Sequence, residues 1–312
     1  MTTISLISPV DGLVYAERTA LPLADAQAAV ARARKAQGAW AGLPLDTRIA
    51  TVMAGITALE GMAAEIVPEL AWQMGRPVRY GGEFGGVRER AAYMAGIASD
   101  VLADDLVEDS DKFTRLIARQ AQGVVFVIAP WNYPFLTAVN TIVPALIAGN
   151  AVVLKHASQT LLAGERLAQA FHAAGVPQDV FQNVVLDHAT TEALIGARAF
   201  DFINFTGSVG GGRAIEKAAA GTFSGTGLEL GGKDPGYVRA DADLDAAVDG
   251  LMDGAMFNSG QCCCGIERIY VHESLYDAFV EKAVAWVRAQ RLGNPLDPDT
   301  TMGPMAHKRF AA

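Results

Sequence analysis

The chain has 312 residues, of which 51% are hydrophobic and 19% charged, and it carries a net charge of −9 at pH 7. This length allows about two domains with a sizeable core, and the apolar content excludes a disordered chain. The acidic balance argues against nucleic acid or an anionic membrane surface as a partner.

The N-terminal residues do not resemble a signal peptide, because residues 1–5 contain no basic segment followed by an apolar run. The three cysteines are adjacent in sequence, whereas a disulfide framework joins distant segments. Free cysteines suit a reducing compartment. The sequence therefore predicts a cytoplasmic protein.

Residues up to about Asp100 are predicted to be helical, because apolar residues recur there at helical spacing. Two such sets are Ile49, Met53 and Ile56, and Val67, Leu70 and Met74. The Gly75 and Pro77 pair and the Gly81-Gly82 pair punctuate this region. Residues 102–122 are more polar and are predicted to form a hairpin that leaves the main body.

From Val124 onward the pattern changes to alternating strands and helices. Strands are predicted over residues 124–130, 151–155, 180–186 and 200–205, and helices over 137–148, 161–174 and 190–197. This alternation predicts right-handed βαβ units and an open parallel sheet. Residues 123–154 carry no charge and could span a bilayer by length, but prolines and asparagines interrupt them. Buried strands and a helix are therefore predicted there, with no membrane partner.

Ligands of parallel sheets bind beyond the carboxyl ends of the strands, so the residues that follow each strand are candidates for ligand binding. One such segment runs from Gly207 to Gly212. Ser208 can cap a helix there, and the glycines let backbone approach a phosphate at the helix N-terminus. The segment is not G-x-G-x-x-G, so an ordinary turn is the alternative.

Glu229 lies between apolar neighbours and two glycines, in Leu228-Glu229-Leu230-Gly231-Gly232. A carboxylate beside apolar walls has a raised pKa and can act as a base near neutral pH. The alternative is a glutamate at a strand end paired with a lysine.

After Glu229 the pattern predicts a helix, the cysteine segment, a strand over residues 267–272 and a final helix. The first helix carries Leu244, Val248, Leu251 and Ala255 on one face. Ser274 and Asp277 resemble a capping box for the last helix. Its inward face is predicted to hold Tyr276, Val280, Val284 and Val287.

The cysteine segment reads Gly260-Gln261-Cys262-Cys263-Cys264-Gly265. It lacks the C-x-x-C spacing of zinc sites, so no metal site is predicted. In an extended segment Cys263 would face away from Cys262 and Cys264, which singles out one thiol as a candidate nucleophile. The alternative is that all three are small buried apolar residues.

Five motifs occur in order along the chain. They are Pro130-Trp131-Asn132-Tyr133-Pro134, Gly149-Asn150-Ala151-Val152-Val153-Leu154-Lys155, Phe205-Thr206-Gly207-Ser208, Glu229-Leu230-Gly231-Gly232-Lys233 and Gly260-Gln261-Cys262-Cys263. Together they closely resemble the NAD(P)-dependent aldehyde dehydrogenase superfamily. The resemblance implies an α/β fold, with a Rossmann-type parallel sheet for the dinucleotide over residues 1–231. It places the start of an α/β catalytic domain over residues 232–312.

The resemblance also assigns roles to residues. Cys263 matches the family nucleophile, Glu229 the base, and Asn132 with the backbone N–H of Cys263 the oxyanion hole. The residues that match the cofactor site are Trp131, Lys155, Ser158, Gly207, Ser208, Gly212 and Leu230. Those that match the substrate channel are Tyr133, Asn140, Phe257 and Cys262.

The implied reaction oxidises a small aldehyde. The cysteine would form a thiohemiacetal, hydride transfer to nicotinamide would leave a thioester, and water activated by Glu229 would hydrolyse it. The cofactor is NAD or NADP. NADP is expected to be tolerated because Ser158 stands where NAD-preferring members often carry an acid. The complete protein is expected to be a homodimer or homotetramer.

The family's catalytic domain continues past Ala312 with a Glu-Glu-x-Phe-Gly-Pro motif and a final strand, so the chain resembles the first two thirds of a member. By itself it is expected to be catalytically silent. Three other functions remain open: a CoA-acylating or other semialdehyde reductase, a thiol hydrolase, and a non-catalytic nucleotide-binding remnant. Glu229 argues against the first, and the second would need a histidine base beside Cys263.

Overall fold

The computed structural model of the protein describes residues 2–310, and it begins with an antiparallel hairpin rather than a helix. The strands are β1 (Thr3–Ile7) and β2 (Val14–Thr19). The prediction of helix throughout the first hundred residues was therefore wrong at this end. Gly12, with φ of +76°, and the Asp11 carboxylate, which accepts the Leu13 N–H at 2.9 Å, form the turn that reverses the chain.

Four helices follow, as the spacing of apolar residues predicted. They are α1 (Leu23–Ala41), α2 (Leu45–Gly61), α3 (Ala63–Met74) and α4 (Phe84–Val101). An antiparallel hairpin comes next, formed by β3 (Asp105–Asp109) and β4 (Thr114–Ile117). Its apolar side chains are exposed: Leu106 by 61%, Val107 by 63% and Leu116 by 50%.

The middle of the chain forms a parallel sheet of five strands with helices between them. In chain order these elements are β5 (Val124–Ile128), α5 (Leu136–Ile147), β6 (Ala151–Lys155), α6 (Leu161–Ala173), β7 (Phe181–Asn183), α7 (His188–Gly196), β8 (Phe202–Thr206), α8 (Val209–Ala219) and β9 (Gly225–Glu229). The strand order is β7-β6-β5-β8-β9, all parallel. The predicted α/β fold with a parallel sheet is confirmed. The direction in which successive strands are added reverses between β5 and β8, and open α/β sheets bind ligands at such a point.

Helices cover both faces of this sheet. Alternation along β5 sends Val125 and Val127 into a core shared with α2, α5 and α6, while Phe126 enters a second core with α1 and α7. The uncharged residues 123–154 are β5, α5 and β6. Among the described residues no single helix is long and apolar enough to cross a membrane, although the bent pair α2 and α3 passes that test by length and composition together.

A smaller βαβ unit follows β9. It consists of β10 (Asp234–Val238), α9 (Leu244–Met256) and β11 (Ile266–Val271), with β10 and β11 paired in parallel, and α10 (Tyr276–Arg288) packs on α9.

The predicted inward face of α10 was wrong. The four residues assigned to it are 41–56% exposed, whereas Phe279 is 5% exposed and packs with Ala283 and Trp286 against α9. The predicted capping box is also replaced, because His272 Nδ1 accepts the Ser274 N–H at 3.2 Å and a short 3-10 turn precedes the helix.

The packing of α2 on α6 depends on a glycine. A Cβ at Gly55 would lie 2.4 Å from Cδ1 of Phe171, whose ring is 1% exposed and cannot move away. We expect Gly55→Ala to destabilise the protein by about 1–2 kcal/mol, because overpacking outweighs the gain in helix propensity. Gly38→Ala in α1 is the matched control: its Cβ would meet nothing within 4 Å, and we expect a gain of about 0.4–1 kcal/mol. Urea unfolding of both variants tests this, and a stabilised Gly55→Ala would contradict it.

Candidate active site

The carboxyl ends of parallel strands meet at one edge of a sheet, and this edge gathers most of the predicted site. Asn132 lies in the loop after β5, Lys155 ends β6, Ser208 follows β8 and Glu229 ends β9. The cysteine segment follows α9 and lies at the same edge, where the Gly232 N–H donates to the Cys263 carbonyl oxygen at 2.8 Å.

The turn that leads into the cysteines has an unusual backbone. Asn258 and Ser259 have φ values of 54° and 59°, and Gly260 follows with 73°. A left-handed conformation costs a non-glycine residue about 1–2 kcal/mol, so outside contacts must hold it. The Asn258 side-chain amide donates to the carbonyl oxygens of Asn132 and Gln261, each at 3.2 Å, and Ser259 Oγ donates to the Gly303 carbonyl at 2.9 Å.

The prediction that Cys263 faces away from its neighbours was wrong. The segment forms a turn, with the Gly265 N–H donating to the Cys262 carbonyl at 3.3 Å, and all three Sγ atoms lie within 4.8 Å of one another. Side-chain alternation needs an extended backbone, which a turn does not provide. Cys263 is distinguished instead by its position against Gly231 and Gly232. It is partly buried, as is Cys262, whereas Cys264 is exposed.

Glu229 and Cys263 are close enough for their charges to interact. Burial raises the pKa of the Cys263 thiol above its ordinary value of 9.0, and the negative charge of Glu229 raises it further. The prediction that apolar side chains enclose Glu229 was wrong for the described residues. Its side chain is exposed, and its Oε1 accepts the Gly231 N–H at 2.9 Å. It is not paired with Lys233 either, which bonds Glu267. The negative charge of Glu229 opposes ionisation of Cys263.

Asn132 is held directly beside the cysteine turn. Its Nδ2 donates to the Gln261 carbonyl oxygen at 3.2 Å, and its Oδ1 accepts the Tyr133 N–H at 3.1 Å. The structure thus brings the three predicted catalytic residues, Cys263, Glu229 and Asn132, to one place.

A buried ion pair supports this arrangement, and the sequence did not reveal it. Arg76 and Glu83 have side chains only 3% and 4% exposed, with Nη1 of Arg76 2.6 Å from Oε1 of Glu83. Arg76 Nη2 donates to the Asn132 carbonyl oxygen at 2.6 Å. Glu83 Oε2 accepts the N–H groups of Phe135 and Leu136, at 3.0 and 2.6 Å, where α5 begins. The pair therefore fixes both sides of the loop that carries Asn132.

The sequence around these two residues gave only a weak signal. Arg76 lies between Gly75 and Pro77, and Glu83 directly follows Gly81-Gly82, so both segments are interpreted from the sequence as interruptions of the helical pattern. A charged residue beside such a break is usually exposed, and its burial here results from tertiary contacts.

Lys155 and Ser158 line a cavity of about 320 Å³, together with residues of β1 and the segment after β7. Burial lowers the pKa of Lys155, and the nearby Asp187 carboxylate opposes that shift. Burial also lowers the pKa of His156 to about 4. The neutral ring of His156 donates from Nε2 to the Pro134 carbonyl at 3.0 Å, which ties this cavity to the loop after β5.

The remaining predicted cofactor residues lie outside this cavity, and all of them except Trp131 surround the start of α8. Ser208 caps the helix, as predicted, because its side chain accepts the Gly211 N–H at 3.2 Å. Leu230 lies against Gly212, and the Phe205 ring lies against Gly207. Trp131 stacks on Phe310 with ring centroids 5.2 Å apart.

The four predicted channel residues are not all brought together. Tyr133 and Cys262 are neighbours, and burial together with its hydrogen bond to Cys262 raises the pKa of the Tyr133 hydroxyl. Phe257 packs edge-to-face on Tyr80, with centroids 5.2 Å apart. Asn140 lies apart on α5, where it lines a separate cavity of about 280 Å³.

Comparison with known proteins gives one family over the whole chain. The family model described as aldehyde dehydrogenase family matches residues 1–312. The chain is 35% identical to 2-hydroxymuconic semialdehyde dehydrogenase of Pseudomonas putida, covering 97% of this chain and 64% of that protein. It is 34% identical to succinate-semialdehyde dehydrogenase [NADP(+)] 1 of Mycobacterium bovis, covering 97% of this chain and 67% of that protein.

Among solved structures, the chain is similar to PnpE in complex with nicotinamide adenine dinucleotide. The TM-score is 0.90 and the identity 32%, over 98% of this chain and 63% of that one. The chain thus spans about two thirds of the length of these relatives.

We expect Glu83→Gln to destabilise the protein by about 3–5 kcal/mol, because Arg76 would be left as a buried charge without its partner. The glutamine side-chain oxygen can still accept the N–H groups at the start of α5. The variant therefore removes the negative charge and keeps those hydrogen bonds. Urea unfolding measures the change, and adding Arg76→Met to Glu83→Gln should recover part of it. A Glu83→Gln protein within about 0.5 kcal/mol of the parent would contradict the role given to the pair.

The charge of Glu229 should be visible in the reactivity of Cys263. In a Cys262→Ser, Cys264→Ser background, the iodoacetamide reaction should accelerate as pH rises through the raised pKa, because the thiolate is the reactive form. Glu229→Gln removes one cause of the raised pKa, so its rate profile should shift to lower pH. Glu267→Gln is the control, since Lys233 neutralises that carboxylate. An unshifted Glu229→Gln profile would show that the two groups do not interact.

Proposed function

Because the chain belongs to the aldehyde dehydrogenase family, we propose that the protein carrying it oxidises small aldehydes to carboxylic acids with NAD or NADP as oxidant. The observation that carries this proposal is the meeting of Cys263, Glu229 and Asn132 at the carboxyl edge of the sheet. These are the three kinds of group that acyl chemistry at an aldehyde needs: a nucleophile, a base and an oxyanion donor.

The first step is attack by the Cys263 thiolate on the carbonyl carbon, which forms a thiohemiacetal. Negative charge develops on the former carbonyl oxygen, and Asn132 Nδ2 with the Cys263 backbone N–H would receive it. Asn132 Nδ2 is already held at the turn by its 3.2 Å bond to Gln261. One such donor is typically worth about 2.7–4 kcal/mol of transition-state stabilisation.

The residues at the sheet edge suit a dinucleotide. The N-terminus of α8 is exposed at Val209 and Gly210, so phosphate oxygens can approach the backbone N–H groups there. Lys155 and Ser158 offer an ammonium and a hydroxyl to the adenosine ribose from the neighbouring cavity. When bound, the nicotinamide supplies the two-electron oxidation that converts the thiohemiacetal into a thioester.

Glu229 then acts on water. Its exposed carboxylate takes a proton from a water molecule that attacks the thioester carbon, and Cys263 leaves as the thiolate. The Cys263 thiol must give up its proton before attack, to Glu229 or to solvent, and a protonated Glu229 has no charge with which to oppose the thiolate. Glu229 is deprotonated again before it acts on water.

We also propose a domain organisation for the chain and an oligomeric state for the complete protein. Residues 1–231 would form the dinucleotide-binding domain and residues 232–312 the start of the catalytic domain. Exposed apolar residues on the β3–β4 hairpin, such as Leu106 and Val107, support a homodimer or homotetramer, because exposed patches of this kind mark interfaces.

In the complete protein, we expect Cys263→Ala to lower aldehyde-dependent reduction of NAD(P)⁺, measured without CoA, by about three orders of magnitude or more, as loss of a nucleophile does. Cys264→Ala should retain most of the activity, because that exposed thiol has no part in the reaction. Thermal unfolding of both variants controls for folding. Comparable activity of Cys263→Ala and its parent would contradict the assignment.

The choice of cofactor should depend on the cavity beside Lys155. Ser158 places no charge there, so we expect NADP⁺ to be used at least as well as NAD⁺. Ser158→Glu should lower kcat/KM for NADP⁺ about tenfold more than for NAD⁺, because a carboxylate repels the 2′-phosphate. A strong native preference for NAD⁺ would contradict this and would direct attention to Asp187, which Asp187→Asn tests.

A further inference from the structure

The three cysteine side chains converge instead of separating. Their Sγ atoms all lie within 4.8 Å of one another, and those of Cys262 and Cys264 are 3.3 Å apart. All three are free thiols. The chain therefore presents three sulfur donors around one small volume, at a place where its sequence spacing gave no reason to expect a metal site.

The spacing of the sulfurs fits one soft cation. Zinc binds thiolate sulfur at about 2.3 Å, which places neighbouring sulfurs of a tetrahedral site about 3.8 Å apart. The sulfurs of Cys262 and Cys264 are 3.3 Å apart and all three lie within 4.8 Å of one another, so small side-chain rotations suffice to reach that value. Thiolates favour thiophilic ions over hard ions such as Mg²⁺, so the donor set also selects the ion.

The turn is held in place by its surroundings. Gly232 holds the Cys263 carbonyl, Asn258 holds Gln261, and the Ala306 N–H donates to Gln261 Oε1 at 2.9 Å. Little backbone ordering is then required when an ion binds, which favours affinity. Cys264 is exposed and gives the ion a path from solvent.

We propose that Cys262, Cys263 and Cys264 form a three-thiolate site for a thiophilic divalent cation, with Zn²⁺ as the ion that the spacing fits and with one coordination position open to water. Binding forms three Zn–S bonds and releases the three S–H protons to solvent, with no change of oxidation state. If Cys263 is the nucleophile proposed above, an occupied site blocks it reversibly, but binding itself does not depend on that function.

The test is a titration of the metal-free protein with Zn²⁺ in a phosphine reductant, by competition with a chromophoric chelator. We expect one ion per chain, and a loss of affinity of at least about 100-fold in Cys264→Ser, since even losses outside the ligand set cost about 10–100-fold. Cys264 was given no catalytic role, so this variant also keeps the site otherwise intact. Mg²⁺ is the control ion and should not compete.

A Co²⁺ titration gives a second readout, because sulfur-to-metal charge-transfer absorption reports thiolate ligation directly. Its intensity should fall stepwise from the parent to Cys264→Ser and to the Cys262→Ser, Cys264→Ser double variant. Parent-like Zn²⁺ affinity in Cys264→Ser, or Zn²⁺ binding without thiolate absorption from Co²⁺, would overturn the proposal.

Discussion

The candidate site depends on the buried ion pair between Arg76 and Glu83. Moving two charges out of water costs several kcal/mol per ion, and such a pair persists only with good geometry and further hydrogen bonds. Here the further bonds go to functional segments: Arg76 to the Asn132 carbonyl, and Glu83 to the first amides of α5. Because Asn258 also bonds the Asn132 carbonyl, the loop after β5 and the cysteine turn share one anchor. The pair therefore positions both segments.

The cysteine turn shows why such an anchor is needed. Two consecutive non-glycine residues in the left-handed region are strained, and strain of this kind persists where surrounding structure over-determines it. The result is a thiol cluster beside the end of β9, with Glu229 close enough to affect Cys263. Burial and the negative charge of Glu229 both raise the pKa of the Cys263 thiol. The same convergence of sulfurs makes the turn a candidate for a soft metal ion.

Much of the fold could be predicted from the sequence, because buried parallel strands are short apolar runs separated by helices. The order of five motifs was enough to indicate the family, and that indication is confirmed. The failures have local causes. The N-terminal hairpin is short and mostly exposed, the face of α10 is set by Phe279, and the cysteines lie in a turn where alternation does not apply. The burial of Arg76 and Glu83 could not be identified, since Asn258, which bonds Arg76, and Phe135, which bonds Glu83, lie 182 and 52 residues away along the chain.

The central claim is that Cys263, among three neighbouring thiols, carries the acyl group while Glu229 serves its hydrolysis. The most direct measurement is mass spectrometry of the Glu229→Gln protein quenched in acid after incubation with an aldehyde and NAD(P)⁺. Without the base the thioester should accumulate, and fragmentation of the peptide containing residues 262–264 should place the acyl mass on Cys263. An acyl group on Cys262 or Cys264, or no acyl group where the parent turns over, would contradict this account.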